Sequence, residues 1–201
     1  MPVRLYFLLF LIFLSCQTSG IQTGPPVNII FDTDMGSDCD DAGALALLHA
    51  YADQNKAEIL GCVYTSGRVP YGAGVVQAIN IACGRPAVPV GAYHGTDVGD
   101  PVDKMSAEKL AKDTTAFGNT LDDGRPSWDL ATVYFAVEGT GAFLQNKGYG
   151  RLEFNIDKGS RWQADPTHRQ QTYISQKPDI STKFADNLNR LIADQSKGVP
   201  R

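Results

Sequence analysis

The chain has 201 residues, which suggests one domain or one domain with a small appendage. Hydrophobic residues make up 43% of it and charged residues 20%, as in an ordinary globular protein. The formal net charge is -4, and the sequence shows no Lys/Arg-rich patch with interleaved aromatic residues. These properties argue against nucleic acid as a partner.

The N-terminus has the pattern of a targeting segment. Arg4 supplies a positive charge, and residues 5–14 form an apolar run that is too short to span a bilayer. A buried N-terminal helix is the alternative, but the run is apolar on every face and has no helix caps. We therefore predict a secretory or lipoprotein signal over 1–20 and a secreted or periplasmic protein. Leu14-Ser15-Cys16 resembles a loose lipobox, which would place a lipid anchor on Cys16.

Strand and helix signals alternate from residue 27 onwards. Buried-type strands are predicted over 27–31, 57–65 and 87–91, with helices over 41–54 and 71–83 between them. In the first helix Ala42, Leu45, Leu48 and Ala52 share one face. This alternation predicts a parallel sheet with right-handed crossovers.

The pattern loosens in the second half of the chain. A weak helix is predicted over 101–112, a loop over 113–126, and helices over 127–138 and 180–194. Short antiparallel strands are predicted over 150–157, 160–164 and 171–175. We expect a single α/β domain over 27–201, with a mainly parallel sheet flanked by helices and a small antiparallel element near the C-terminus.

The most informative segment is Asp32-Thr-Asp-Met-Gly-Ser-Asp-Cys-Asp-Asp41, which directly follows the first apolar strand. Five carboxylates in ten residues repel one another, and their removal from water is costly. Either the loop is fully solvated, or a divalent cation reverses the local electrostatics. The carboxyl ends of parallel strands are where active sites of such sheets lie, so the position favours a functional site.

Simpler interpretations explain only part of this segment. Asp40 or Asp41 could cap the helix that follows, but one helix end needs only one or two acceptors. An EF-hand loop would need Gly and Glu where the chain has Ser37 and Gly43. A phosphatase of the haloacid dehalogenase type would use Asp32 as a magnesium-dependent nucleophile, but Gly36-Ser37 departs from its motif.

A longer pattern matches one family over much of the chain. The segment Val27-Asn-Ile-Ile-Phe-Asp32-Thr-Asp-Met-Gly-Ser-Asp-Cys-Asp-Asp41-Ala-Gly-Ala-Leu45 resembles the N-terminal signature of the inosine/uridine-preferring nucleoside hydrolases. The resemblance continues through Ala57-Glu-Ile-Leu-Gly61, Asn80-Ile-Ala-Cys-Gly-Arg-Pro86 and Val88-Pro-Val-Gly91. It resumes at Gly124-Arg-Pro-Ser-Trp-Asp-Leu-Ala-Thr-Val-Tyr-Phe-Ala-Val-Glu138, which is similar to the C-terminal metal-site helix of that family.

This resemblance implies an open Rossmann-like core, a calcium ion and a specific chemistry. Asp34, Asp41 and Asp129 match carboxylate ligands of the ion. Asp34 would also be the general base that takes a proton from a calcium-bound water. That water would attack the anomeric carbon of a nucleoside or a related ribosyl compound, and Asp40 matches a residue that holds ribose hydroxyls. Calcium prefers several oxygen ligands, which agrees with this set.

The chain also departs from the family. Family members are longer, and the resemblance breaks near Thr120 and resumes at Gly124. Trp128 stands where a histidine that assists the leaving base is common, and it could either stack on a base or pack in the core. The shortened pattern leaves a second hypothesis, an inactive family member that serves as a binding or structural protein. The sequence leaves open whether the chain forms a homo-oligomer.

The histidines are weaker candidates. His49 lies within the first helix and is predicted to be a packed or half-exposed residue rather than a catalyst. His94 follows a strand end and could line the site, although a loop residue without a role in the site is the favoured interpretation. His168 lies in a polar loop and is predicted to be solvated.

Overall fold

The computed structural model describes residues 24–35, 39–66, 71–93, 128–155 and 159–195. The predicted signal over 1–20, the proposed anchor at Cys16, Asp38, His94 and the junction at 120–124 lie outside these ranges. Ten elements are described: β1 (Val27–Thr33), α1 (Asp40–Asp53), β2 (Ala57–Tyr64), α2 (Gly72–Ala82), β3 (Val90–Ala92), α3 (Trp128–Glu138), β4 (Leu144–Asn155), β5 (Gly159–Ala164), β6 (Thr172–Gln176) and α4 (Ser181–Gln195).

The first half of the chain builds a parallel sheet, as the alternation of strands and helices predicts. Its strand order is β1-β2-β3, and both neighbouring pairs are parallel. Beyond the regular ladder, the backbone N–H of Thr65 donates to the carbonyl of Thr33 at 2.9 Å, and that of Tyr93 donates to Tyr64 at 2.9 Å. All three strands therefore end at one edge of the sheet, where the aspartate segment begins.

Helix α1 lies at the centre of the core. It contacts β2, α2, α3 and α4, so nearly every side of the helix is covered. The one apolar face that the sequence predicts for this helix is therefore only part of its buried surface, because a helix that is covered all round buries residues on every side. Its buried residues include Ala44, Leu45, Leu47, Leu48, His49, Ala50 and Tyr51.

The antiparallel element is a sheet of its own, with the strand order β5-β4-β6. The first half of β4 pairs with β6 and the second half pairs with β5. β4 begins at Leu144, six residues before the predicted start at residue 150. The prediction starts too late because an irregularity between Asn146 and Gly148 interrupts the alternation of the strand. Gly148 has φ +130, and its N–H donates to Oδ1 of Asn146 at 2.7 Å. The described part thus has as many antiparallel strands as parallel ones.

Helix α4 closes the core from the C-terminal side. Phe184 and Leu188 are buried, and the Phe184 ring meets the Tyr134 ring of α3 edge-on at 5.1 Å. Phe143 stacks on Phe184 with a centroid distance of 5.0 Å. This aromatic group connects the turn before β4 to α3 and α4. Among the helices that the structure describes, none is long and apolar enough to cross a membrane.

One face of the parallel sheet carries exposed apolar side chains. Ile30 is 64% exposed, Leu60 47% and Val63 37%. Parallel sheets are normally covered on both faces. Within the described ranges this face is uncovered.

Candidate functional site

The aspartate segment leaves β1 at the carboxyl edge of the sheet and enters α1. Asp34 and Met35 follow the strand directly, Asp34 exposed and Met35 only 3% exposed. The buried methionine fixes the path of the chain at the strand end, because its side chain belongs to the hydrophobic core. The carboxylate of Asp34 is thereby held at the surface of the sheet edge.

Helix α1 begins with two buried carboxylates. Cys39 occupies the N-cap position and forms no side-chain capping hydrogen bond, while Asp40 and Asp41 lie in the first turn. Asp40 is 7% exposed and Asp41 3%. The interpretation of either residue as the N-cap is therefore wrong. Their place in the first turn is still favourable, because the helix dipole is positive at that end.

A third carboxylate reaches the same place from a distant part of the chain. Asp129 lies in the first turn of α3 and is half-buried, and α3 packs against α1. One carboxylate oxygen each from Asp40, Asp41 and Asp129 can be chosen so that all three lie within 4.8 Å of one another. We call these three residues the carboxylate cluster. The cluster unites both motifs of the family resemblance.

The electrostatics of the carboxylate cluster favour a cation. Asp40 and Asp41 form no salt bridge with any Lys, Arg or His that the structure describes. At this separation, and at the effective dielectric constant usual for protein sites, each pair of ionised carboxylates repels by on the order of a few kcal/mol. Three oxygen donors at one point are the ligand type that hard divalent cations such as calcium prefer. The residues present therefore fit such an ion.

Thr33 orients one member of the cluster. Its hydroxyl donates to Oδ1 of Asp41, and the same hydroxyl oxygen accepts the backbone N–H of Met35 at 3.1 Å. Thr33 is 4% exposed, so both bonds lie out of water. Sequence reasoning did not single out this residue. The signal was its place on β1, two residues from the buried Phe31 and so on the same inward face.

The other two aspartates of the segment differ from the cluster. Asp34 is exposed and lies outside the set of three carboxylates. Asp32 is also exposed, and its Oδ1 accepts a hydrogen bond from the Thr65 hydroxyl at 2.9 Å. The structure thus brings together two of the three predicted metal ligands, Asp41 and Asp129. Asp40, for which the resemblance implies a ribose contact, completes the three.

Trp128 is the first residue of α3 and directly precedes Asp129. Its side chain is 56% exposed, so the alternative that it packs in the core is wrong. The backbone carbonyl of Trp128 accepts the hydroxyl of Thr132 at 3.0 Å, which fixes the first turn of the helix. A large aromatic surface is therefore open to solvent at the residue that precedes Asp129.

Of the two environments that the sequence leaves open for His49, the structure shows the packed one. It is completely buried, and its Nε2 lies 2.8 Å from Oδ1 of Asn80. Burial lowers the pKa of His49 below its ordinary value, and the positive charge of Arg85 acts in the same direction. This histidine is therefore held neutral inside the fold rather than offered to a substrate.

Comparisons with protein-family models, with curated proteins and with solved structures found no match to this chain.

Proposed function

We propose that the chain is a secreted, calcium-dependent N-ribohydrolase of the type that the inosine/uridine-preferring nucleoside hydrolases represent. The observation that carries the proposal is the convergence of Asp40, Asp41 and Asp129 from two distant segments, with oxygens within 4.8 Å. These residues come from the two motifs on which the family resemblance depends. The carboxyl edge of a parallel sheet is also where α/β enzymes bind their ligands.

Asp41 and Asp129 would hold the calcium ion, together with Asp40 or with Asp34. Asp41 is suited to a fixed ligand role, because the Thr33 hydroxyl takes up one of its lone pairs and sets its orientation. Calcium, when bound, supplies the positive charge that offsets the carboxylate repulsion and lowers the pKa of water.

Asp34 would be the general base. Its carboxylate is exposed at the end of β1, so a water molecule can reach it. A general base must lie within hydrogen-bond reach of the proton that it accepts, and the place of Asp34 directly after β1, in the same segment as Asp40 and Asp41, supports this role. Asp34 would accept the proton of the water that attacks the anomeric carbon.

The substrate would be a ribonucleoside or a related N-riboside. Cleavage of its glycosidic bond passes through an oxocarbenium-like transition state, and nearby carboxylates stabilise the positive charge that develops on the sugar. Asp40 would accept hydrogen bonds from ribose hydroxyls. Trp128, which precedes Asp129 in the sequence, offers an exposed ring, and such a ring can stack on the base.

Calcium binding can be tested apart from activity. We expect calorimetric titration of the purified chain with calcium to show one site, and Asp129→Asn to weaken binding by at least about tenfold, or 1.4 kcal/mol. Asp186→Asn is the matched control, because Asp186 is an exposed carboxylate on α4 far along the sequence from both motifs. Equal calcium affinity in all three proteins, or no binding by the parent chain, would refute the site.

Activity requires a second experiment. With calcium present, we expect ribose release from a panel of purine and pyrimidine ribonucleosides, and its loss in Asp34→Asn. Calcium binding retained by that variant would make Asp40, rather than Asp34, the third ligand. Calcium binding without ribose release would support the second candidate, an inactive family member.

The phosphatase hypothesis makes a different prediction for the same sample. It requires magnesium-dependent phosphate release that is lost in Asp32→Asn. Asp32 is exposed, accepts a hydrogen bond from Thr65 and lies outside the carboxylate cluster. The position of Asp32 therefore favours the ribohydrolase over the phosphatase.

A further inference from the structure

The interior of α1 contains a polar group that the proposed function does not use. Both ring nitrogens of His49 have partners: Nε2 lies 2.8 Å from Oδ1 of Asn80, and Nδ1 lies 3.4 Å from Nη1 of Arg85. A guanidinium group has donors and no acceptor, so Nδ1 must carry a lone pair. Nε2 must then carry the hydrogen and donate it to Asn80. Only the neutral ring satisfies both contacts.

Asn80 is fixed independently of the histidine. Its side chain is completely buried on α2, and Nδ2 donates to Sγ of Cys62 on β2 at 3.8 Å. The amide oxygen is therefore turned toward His49. This arrangement connects α1, α2 and β2 through one buried chain of hydrogen bonds.

Arg85 connects the same histidine to the turn between α2 and β3. Its Nη2 donates to Oδ1 of Asp53 at the end of α1 at 2.5 Å. Its backbone N–H donates to the carbonyl of Asn80 at 2.8 Å, and its carbonyl accepts the N–H of Val88 at 3.2 Å. The Arg85 side chain thus links the turn to α1. We call His49, Asn80 and Arg85 the histidine junction.

A proton on Nδ1 would destroy this arrangement. The imidazolium would present an N–H to a guanidinium that has only N–H groups to offer, and a second positive charge would lie beside that of Arg85. The charged groups that act on the ring are Arg85, which disfavours the proton, and Asp53, which favours it. The Cys62 thiol completes the titratable groups of the network, and burial raises its pKa.

The direction of the effect follows from the pKa of His49. Burial is the largest cause that lowers it, and the hydrogen bond to Asn80 offsets part of that effect. The native state therefore binds a proton on His49 more weakly than a state in which the junction is broken. The closed junction is favoured above the ordinary histidine pKa of about 6.5, and this advantage is lost as the pH falls from there through the lowered value.

We propose that the histidine junction is a pH-sensitive contact between α1 and the turn that joins α2 to β3. Acidification would break this contact and separate the turn from α1. Release would move Arg85 toward solvent, which its partly exposed side chain already reaches. The turn also carries the carbonyl of Pro89, which accepts the N–H of Cys62 at 2.8 Å. Opening would therefore loosen the edge of the parallel sheet at β3, and the mechanism is independent of calcium and of any substrate.

Hydrogen exchange tests the release directly. Protection factors of the Arg85 and Val88 amides, corrected for the intrinsic effect of pH, would be measured at pH 7.5 and pH 5.0 on the full chain. We expect a several-fold loss of protection at pH 5.0, because the native state binds the proton on His49 more weakly than the state with the broken junction does. The amide of Leu144, which donates to Thr140 outside the junction, should keep its protection.

Two variants separate the junction from general acid sensitivity. His49→Gln keeps a donor near the Nε2 position but cannot be protonated, so its protection factors should not depend on pH. His168→Gln removes a half-buried loop histidine and should behave as the parent does. The same acid-induced loss in His49→Gln and in the parent would overturn the proposal.

A ring titration keeps the test decisive if His49→Gln does not fold. Proton NMR of the parent should show the His49 ring titrating below the ordinary histidine pKa of about 6.5, in step with the loss of protection at Arg85 and Val88. Complete titration of the His49 ring with unchanged protection of both amides would also overturn the proposal.

Discussion

The hydroxyl of Thr33 donates to Oδ1 of Asp41 while its oxygen accepts the N–H of Met35. A hydroxyl has only one hydrogen, so the bond from Met35 leaves that hydrogen to Asp41. The last residue of β1 thereby fixes a carboxylate in the first turn of α1. This contact joins the strand end to the helix across the aspartate segment, and it costs the carboxylate only one of its lone pairs.

Thr33→Val should destabilise the protein. Valine has a similar shape but cannot donate to Asp41, so a buried carboxylate loses its neutral partner. We expect the free energy of unfolding in EDTA, measured with urea, to fall by about 1–3 kcal/mol. Thr65→Val is the matched control, since its hydroxyl donates to the exposed Asp32 and to a backbone carbonyl. An equal loss in both variants would contradict the special role of Thr33.

Asp40→Asn should stabilise the protein in the absence of calcium. The change removes one charge from the carboxylate cluster, and the repulsion that it relieves exceeds the ~0.3–1 kcal/mol that a first-turn carboxylate gains from the helix dipole. A net gain of about 1 kcal/mol would raise the melting temperature by roughly 2–4 °C for a chain of this size.

Calcium should reverse the order of stability of the parent and Asp40→Asn. At a hundredfold excess over Kd, a ligand that binds only the folded state adds about 2.7 kcal/mol of stability. The parent should gain this stabilisation in a thermal melt, and Asp40→Asn should gain less. A parent protein that melts at the same temperature in calcium and in EDTA would show that the repulsion is not balanced by this ion.

The strongest local patterns of the sequence predict the elements that build the site. Apolar runs predict β1 and β2, and a helical period predicts α1. The predicted bounds of all three elements agree closely with the structure. β4 was placed too far along the chain, because the bulge at Gly148 breaks the two-residue alternation on which strand prediction depends.

The side-chain geometry of the site could not be predicted in the same way. The proximity of Asp129 to Asp41 was expected only from the family resemblance, because helix packing and not spacing brings α3 onto α1. The sequence left two positions open for Trp128, since it does not tell which side of α3 faces α1. The bond from Thr33 depends on the rotation of the first helical turn, which periodicity does not determine.

Tyr51→Phe should stabilise the protein, or at least cost nothing. The Tyr51 hydroxyl is buried in α1 without a hydrogen-bond partner in the part of the chain that the structure describes. Burial raises the pKa of Tyr51 above its ordinary value, so the hydroxyl stays protonated and unionised. Removing a buried, unsatisfied hydroxyl should raise the free energy of unfolding by about 1 kcal/mol.

Tyr134→Phe is the matched comparison on α3. Its hydroxyl is hydrogen-bonded to the backbone of Ala142, so the same chemical change should lower the free energy of unfolding by about 1 kcal/mol. Urea unfolding of both variants measures the difference. A loss in Tyr51→Phe as large as that in Tyr134→Phe would show that the Tyr51 hydroxyl has a partner.

Two glycines of α2 should respond to alanine in opposite directions. At Gly72 a Cβ would overlap the ring of Tyr64, which is only 4% exposed and cannot move into solvent. Overpacking of this kind costs typically about 1–3 kcal/mol. At Gly74 a Cβ meets nothing within 4 Å, so alanine gains up to about 1 kcal/mol of helix propensity. The melting temperature of the parent should therefore lie between those of the two variants. A lower melting temperature for Gly74→Ala would contradict the open surface at that position.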